Sequence, residues 1–301
     1  MRAPSLPLWF LRGAWVLLLA SVPAFTSALD GRSGAVQIVA ALGLWLAWAA
    51  GLIATLVPSP ASLTVVRVLA PGAPAAALAA TIAGADGVAA VVAVAAGILV
   101  VIVAFTAEVG QAFVQASAYG DEARFPLRPP GPLVAGPLEL AWLVTAAAAA
   151  GPMLLAARAW VAGAVVTAVG VPLASIAVRR FHRLSLRWFV YVPAGVVVRD
   201  PLVLADTAMI QRAAVAAVHL APATTTATDL TAKALGPAVE VTLAGPANVL
   251  MAGTFAERSG HTVSVQAFLV SPSRPGRLLA EGERRGYAAV PPATTNVSDR
   301  S

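Results

Sequence analysis

The chain has 301 residues, of which 59% are hydrophobic and only 11% charged, and its mean hydropathy is +0.82. A soluble domain carries about 25% charged residues, so this composition excludes an ordinary water-soluble fold and predicts an integral membrane protein. The net charge of +6 comes without the basic, aromatic-interleaved patch that binds nucleic acid, and the lack of cysteine excludes disulfides, thiolate metal sites and cysteine nucleophiles.

A helix crossing about 30 Å of hydrocarbon needs about 20 mostly apolar residues. That length predicts six spans, at 13–29, 35–57, 64–83, 87–106, 136–157 and 159–178. The first is ambiguous, because Arg2 and Arg12, the run WVLLLASVPAF and the small residues Thr26-Ser27-Ala28 also have the layout of a cleavable signal peptide. Whether residues 1–28 are cleaved or retained, Asp30 is placed outside. The third is the weakest: Arg67 lies near its start, Pro71 and Pro74 interrupt its first turns, and a shorter span from about Leu69 is the alternative.

Orientation follows from the arginines at span ends. With a cytoplasmic N-terminus the inside set is Arg2, Arg12, Arg67, Arg124, Arg128, Arg179, Arg180, Arg183 and Arg187, and the outside set is Arg32 and Arg158. Nine against two predicts both termini on the cytoplasmic side, and nineteen arginines to one lysine, with abundant Ala, Gly, Val and Pro, suggest a GC-rich bacterial genome and hence a bacterial inner (plasma) membrane. Losing one span would put the arginines of 179–187 outside, so the count favours an even number.

The stretch 107–135 holds mixed charge and four prolines, which predicts a connection with an interfacial first half and an extended, Pro-rich second half. Pro23, Pro152 and Pro172 sit inside spans, either as tolerated kinks or as breaks lining a transport site. The central spans are free of charge, which argues against proton-coupled transport. Gly163 and Thr167, or Ala164 and Ala168, have the spacing that lets helices approach closely, although in so alanine-rich a chain such spacings arise by chance.

Beyond residue 187 long apolar blocks give way to short runs. Val239, Val241 and Leu243 alternate with Glu240, Thr242 and Ala244, and Val263, Val265, Ala267 and Leu269 alternate with Thr262, Ser264, Gln266 and Phe268. Period two predicts half-buried strands. Further strands are expected at 188–192, 195–199, 209–220 and 247–252, divided by Pro-Ala-Gly, Asp-Pro and Gly-Pro. SPSRPGRLLAEGERRG reads as a helix with Ser273 as N-cap, Pro275 in its first turn and Gly286 at its end. Residues 287–301 are expected to be disordered. Asn296-Val297-Ser298 is a formal glycosylation acceptor that carries nothing on a cytoplasmic tail.

The expected organisation is a transmembrane domain over 1–178, a basic juxtamembrane segment over 179–187, a soluble β-rich domain over 188–286 and a tail over 287–301. The opening RWFVYVPAGVVVRD, a hairpin bent at Pro-Ala-Gly, and the closing FLVSPSRPGRLLAE, a strand running into a helix, resemble the bacterial pleckstrin-homology-like (PH-like) domain. The whole layout resembles actinobacterial multi-pass membrane proteins that carry such a domain C-terminally. The resemblance implies a β-barrel or roll closed by one helix, beside a membrane bundle of about six helices. No ligand residue of that family transfers to a position here.

Signatures of enzyme chemistry are missing: no Walker A loop, no G-x-S-x-G, no H-E-x-x-H and no kinase set. His182, His219 and His261 are far apart in sequence, and Asp121-Glu122 reads as a solvated loop pair. No catalytic, cofactor-binding or metal-binding residue is expected. The one segment with chemical content is juxtamembrane. Arg180, Arg183 and Arg187 recur at helical spacing beside Phe181, Leu184 and Trp188. Arg179, Arg180, Arg183, Arg187 and Trp188 are therefore the candidate membrane-surface residues, either facing anionic lipid headgroups at about 1 kcal/mol per arginine or only fixing orientation. The expected function is a non-enzymatic, membrane-anchored interaction or regulatory module, the alternatives being a permease-like transporter and an accessory subunit packed on a membrane-protein partner.

Overall fold

The computed structural model describes residues 5–253 and 260–290, and the chain divides into two units, Met1–Ser117 with Ala135–Ser185 and Ala118–Val134 with Leu186–Ser301. The first unit is helical: α1 (Leu6–Leu17), α2 (Val22–Leu29), α3 (Gly34–Leu56), α4 (Pro60–Leu69), α5 (Gly72–Ile82), α6 (Gly87–Ala104) and α7 (Ala107–Ala116). After the second unit claims its first segment, which includes the short α8 (Gly131–Val134), come α9 (Pro137–Ala156) and α10 (Trp160–Ser185).

Among the described residues six helical stretches are long and apolar enough to cross a membrane: Leu6–Leu29, Gly34–Leu56, Pro60–Ile82, Gly87–Ala104, Pro137–Ala156 and Trp160–Ser185. The third span is present despite its prolines, bent where Pro71 supplies no N–H. The first begins earlier than expected and the last runs on to Ser185. The side chains of Ser33, Ser59 and Thr106 accept the N–H of Val36, Ser62 and Val109, which starts α3, α4 and α7.

Helix ends expose carbonyls, and hydrocarbon offers them no water. Neighbouring helices supply donors instead. Arg12 Nε and Nη2 donate to Thr55 O near the end of α3, at 3.2 and 3.1 Å. Trp142 Nε1 donates to Val68 O beside the Pro71 break at 2.9 Å, and Arg67 Nε reaches Ala104 O at the end of α6 at 3.4 Å. Trp15 and Trp48 exchange indole donors, each to the other's carbonyl, at 2.9 and 3.1 Å. Ahead of Pro23, which cannot serve the carbonyl of Leu19, the helix tightens into a 3-10 turn over Leu18–Ser21 and Val22 N–H serves it instead.

The helix backbones approach closely at small residues. A Cβ on Gly51 would overlap the Trp15 ring, and one on Gly97 would lie 2.6 Å from Pro74 N. Between α9 and α10 the seam is continuous: a Cβ on Gly151 would lie 2.3 Å from Thr167 Oγ1, one on Gly163 would lie 2.7 Å from Leu155 side-chain atoms, and one on Gly170 would lie 3.1 Å from Ala148. The spacing of Gly163 and Thr167, unremarkable by composition, is this contact.

The second unit holds two four-stranded sheets and not a closed barrel. One, in order β1-β2-β3-β4, is antiparallel throughout and comprises β1 (Ala123–Pro126), β2 (Trp188–Val192), β3 (Gly195–Arg199) and β4 (Ala208–Gln211). The other, in order β5-β7-β8-β6, comprises β5 (Val215–Leu220), β6 (Thr228–Asp229), β7 (Val239–Met251) and β8 (His261–Val270), with β6 parallel to β8. α11 (Pro275–Arg284) follows β8. Phe125, Phe189, Tyr191, Val198, Val241 and Phe268 are among the side chains of the single core that both sheets share.

Four expectations are corrected here. The connection 107–135 is not an extended linker: α7 occupies its first half, and β1 pairs with β2 because Phe125 has a core to enter. Residues 209–220 are not one strand, since a 3-10 turn at Arg212–Ala214 sends β4 and β5 to different sheets. The two expected strands at 239–244 and 247–252 are one, β7, with a register irregularity between Thr242 and Ala247. Tyr287, expected in the disordered tail, is buried against Tyr191 with ring centroids 5.2 Å apart, and Ala288 O accepts Val218 N–H. The tail beyond 290 and the acceptor at Asn296 lie outside the described residues.

Widening the α9–α10 seam should loosen the bundle. Gly151→Leu is expected to lower stability by about 1–3 kcal/mol, read as a reduced thermal midpoint in detergent, whereas Gly43→Leu, where no atom lies within 4 Å of an added Cβ, should be tolerated.

Candidate functional site

α10 has 26 residues, hence about 39 Å of length against about 30 Å of hydrocarbon, so about two of its turns exceed the thickness of the bilayer core. The last two turns carry Arg179, Arg180 and Arg183, all exposed. At 100° per residue the three fall within an arc of about 100°. The opposite side of the same turns is polar and packed on α4: His182 Nδ1 lies 3.1 Å from Thr64 Oγ1, which donates to Ser185 Oγ at 3.0 Å.

The other two candidates lie elsewhere. Arg187 is 1% exposed and belongs to the second unit. Its Nε donates to both carboxylate oxygens of Asp200 at 2.9 and 2.8 Å, Nη2 lies 2.7 Å from Oδ2, Nη1 donates to Arg128 O at 2.5 Å and Nη2 to Thr231 O at 3.2 Å. Asp200 Oδ1 also accepts Leu202 N–H at 3.1 Å. Every nitrogen of the guanidinium is thus engaged inside the protein. Trp188 is buried on β2, with the guanidinium carbons of Arg199 and Arg124 5.1 and 5.7 Å from its ring centroid. Of the five candidates, only Arg179, Arg180 and Arg183 are brought together on an exposed face.

The Arg187–Asp200 pair was legible but unread. The Pro193-Ala194 bend pairs Val192 with Gly195 and Trp188 with Arg199, and one further step of that register sets Arg187 opposite Asp200.

A second charged cluster anchors α11. Arg284 and Arg285 both pair with Glu281, and Arg285 also reaches Asp121 at 3.0 Å. Hydrogen bonds from Arg284, then from Arg285, hold the Glu281 carboxyl below the usual carboxylate range against the opposing effect of burial. Beneath the helix the Tyr191 hydroxyl is buried with no hydrogen-bond partner among the described residues, and burial first, then Tyr287 and Glu281, push it well above the usual phenol range. A Cβ on Gly282 would lie 2.6 Å from that hydroxyl, so glycine is what lets α11 lie over the tyrosine.

Asp121 and Glu122 are both ion-paired, the latter to Arg124 at 2.7 Å. His219 Nε2 is 3.2 Å from Thr242 Oγ1 and 4.0 Å from Glu240. Among the described residues no three His, Asp or Glu side chains are grouped to hold a metal ion. Sequence reasoning assigned Arg128 to orientation and Ser273 to a helix cap and singled out nothing at Ser271, yet their Nε and two Oγ atoms are buried without hydrogen-bond partners among the described residues; only the pairing of two distant segments brings them together. Compared with family models, curated proteins and solved structures, the chain finds no match.

Three outcomes follow. Asp200→Asn strands a buried guanidinium and should cost about 3–5 kcal/mol, while the double change Arg187→Met with Asp200→Leu should recover most of it, as measured by thermal unfolding or limited proteolysis. Gly282→Ala should destabilise by about 1–2 kcal/mol, and Tyr191→Phe should relieve that cost in a double-mutant cycle. Because Glu281 titrates lower folded than unfolded, its contribution is fully present above the unfolded value and disappears as pH falls through the folded one. Glu281→Gln should therefore flatten the acid limb of a stability-versus-pH curve.

Proposed function

We propose that this chain is a non-enzymatic, membrane-anchored interaction or regulatory module of a bacterial inner membrane. In this reading the six apolar helices are the anchor and both termini are cytoplasmic. The β-rich unit, a PH-like fold in its two sheets and C-terminal helix, is the part that meets a partner. The observation that carries the reading is the separate core of that unit, built from both sheets. A segment with its own core can hold a binding surface whatever the helices do, and Arg12 and Arg67, the arginines inside the first and third spans, donate to backbone carbonyls of neighbouring helices, which gives transport chemistry little to use. Arg179, Arg180 and Arg183 support the cytoplasmic assignment, and in this reading their exposed arc meets anionic lipid headgroups.

Affinity capture of the membrane-extracted full chain, followed by identification of what co-purifies, is the direct test. A reproducible protein partner whose retention depends on the β-rich unit is the expected result. Recovery of none, together with solute flux in reconstituted vesicles, would favour the permease-like alternative. Glutamine at all three arginines should also reduce co-purifying phosphatidylglycerol, read by native mass spectrometry, without lowering the thermal midpoint.

A further inference from the structure

The segment between β8 and α11 pairs with the chain leaving β1. Leu127 bridges Pro272 in antiparallel register, Arg128 N–H donates to Ser271 O at 2.7 Å and Ser273 N–H donates to Pro126 O at 2.8 Å. Alternation then sends Leu127 and Pro272, both buried, to one face, and Arg128, Ser271 and Ser273 to the other. On that second face stand three buried atoms without a hydrogen-bond partner among the described residues: Arg128 Nε, Ser271 Oγ and Ser273 Oγ. Ser271 is fully buried.

Orphaned buried polar atoms are costly, about 1–3 kcal/mol each, and three around one bridge is a concentration that folding alone does not require. Their chemistry is uniform, because the guanidinium N–H and both hydroxyls can donate together to one acceptor. The setting is cationic. Arg128 makes no ion pair with a carboxylate among the described residues; its Nη2 donates to Pro237 O, and burial lowers its pKa. Two residues downstream α11 begins, a ten-residue helix whose N-cap position is occupied by Arg274 and has no side-chain cap. Ser273, expected to be that cap, is not: its hydroxyl is one of the three orphans. The first-turn N–H groups and Arg277, exposed in the same turn, add positive potential.

We propose that this bridge is an anion site for a phosphate group, with Ser271, Ser273 and Arg128 as donors and the start of α11 as the supporting dipole. It names a ligand class for the β-rich unit and so rests on the module reading above. The phosphate belongs either to a soluble phosphate ester or to a lipid headgroup.

The test uses the full chain in phosphatidylcholine nanodiscs, titrated with inorganic phosphate, and in parallel nanodiscs that contain phosphatidic acid. Thermal midpoint and 31P line width are the readouts. Either source should raise the midpoint and broaden its phosphorus signal. In the Ser271→Ala/Ser273→Ala protein the affinity should fall about tenfold or more, while the unliganded midpoint stays level or rises because two orphan hydroxyls are gone. Arg128→Gln should give the same loss of binding. A response to inorganic phosphate assigns a soluble ligand, and a serine-dependent response to phosphatidic acid alone assigns a headgroup. No response in either arm, or an equal response in the serine variant, overturns the site. A protein blind to phosphate that still captured a partner would leave the module reading intact.

Discussion

The second unit is organised around the buried pair of Arg187 and Asp200, and loss of either partner alone would strand the other. Two charges withdrawn from water cost several kcal/mol each unless every lone pair and proton is matched. Here they are matched by four segments at once: the chain leaving β1 through Arg128 O, the start of β2, the end of β3 with the turn at Leu202, and the 229–231 loop through Thr231 O. None of these segments can leave without unmatching a buried hydrogen-bonding group of the pair. The pair therefore fixes the position of a strand, β1, that comes from before the last two spans, and makes one core out of chain separated by some fifty residues. It also explains why the basic run divides as it does. Arg179, Arg180 and Arg183 stay on helix α10, whereas Arg187 lies in the second unit just ahead of β2.

The helical unit is governed by a different scarcity. Apolar side chains are abundant, so burial does not choose one neighbour over another, and only 11–33% of each span's most apolar window is buried within the protein. Specificity comes from the few polar groups and from the small ones. Arg12, Arg67, Trp15, Trp48 and Trp142 each close a carbonyl on a neighbouring helix, and Gly51, Gly97, Gly151 and Gly163 set how near those neighbours come. Arginines that an apolarity count treats as span boundaries are here inter-helix contacts, which is why the first span begins at Leu6 and not after Arg12.

Six apolar blocks and the hairpin at 188–199 were legible because each is a local pattern, a run of length or an alternation about a bend. What escaped was non-local. Nothing in the sequence near Phe125 announces a strand, since four residues among prolines gain β structure only from the partner 65 positions away. Ser273 has the chemistry of an N-cap, but the bridge to Pro126 takes its backbone and leaves Arg274 at the cap position. Gly163 and Thr167 had the right spacing in a background of alanine that made the spacing uninformative; geometry, and not composition, distinguishes them. The candidate lipid residues divide along the same line, three where a continuing helix would put them and two buried in the second unit at and just before β2.

The central claim is that the helices hold the β-rich unit on the cytoplasmic side. The absence of native cysteine makes single-cysteine labelling of intact cells with a membrane-impermeant maleimide a clean measurement. Asp30→Cys, between the first and second spans, is predicted to react from outside, and Asp206→Cys, exposed in the second unit, only after the cells are permeabilised. Labelling of Asp206→Cys in sealed cells would contradict the account.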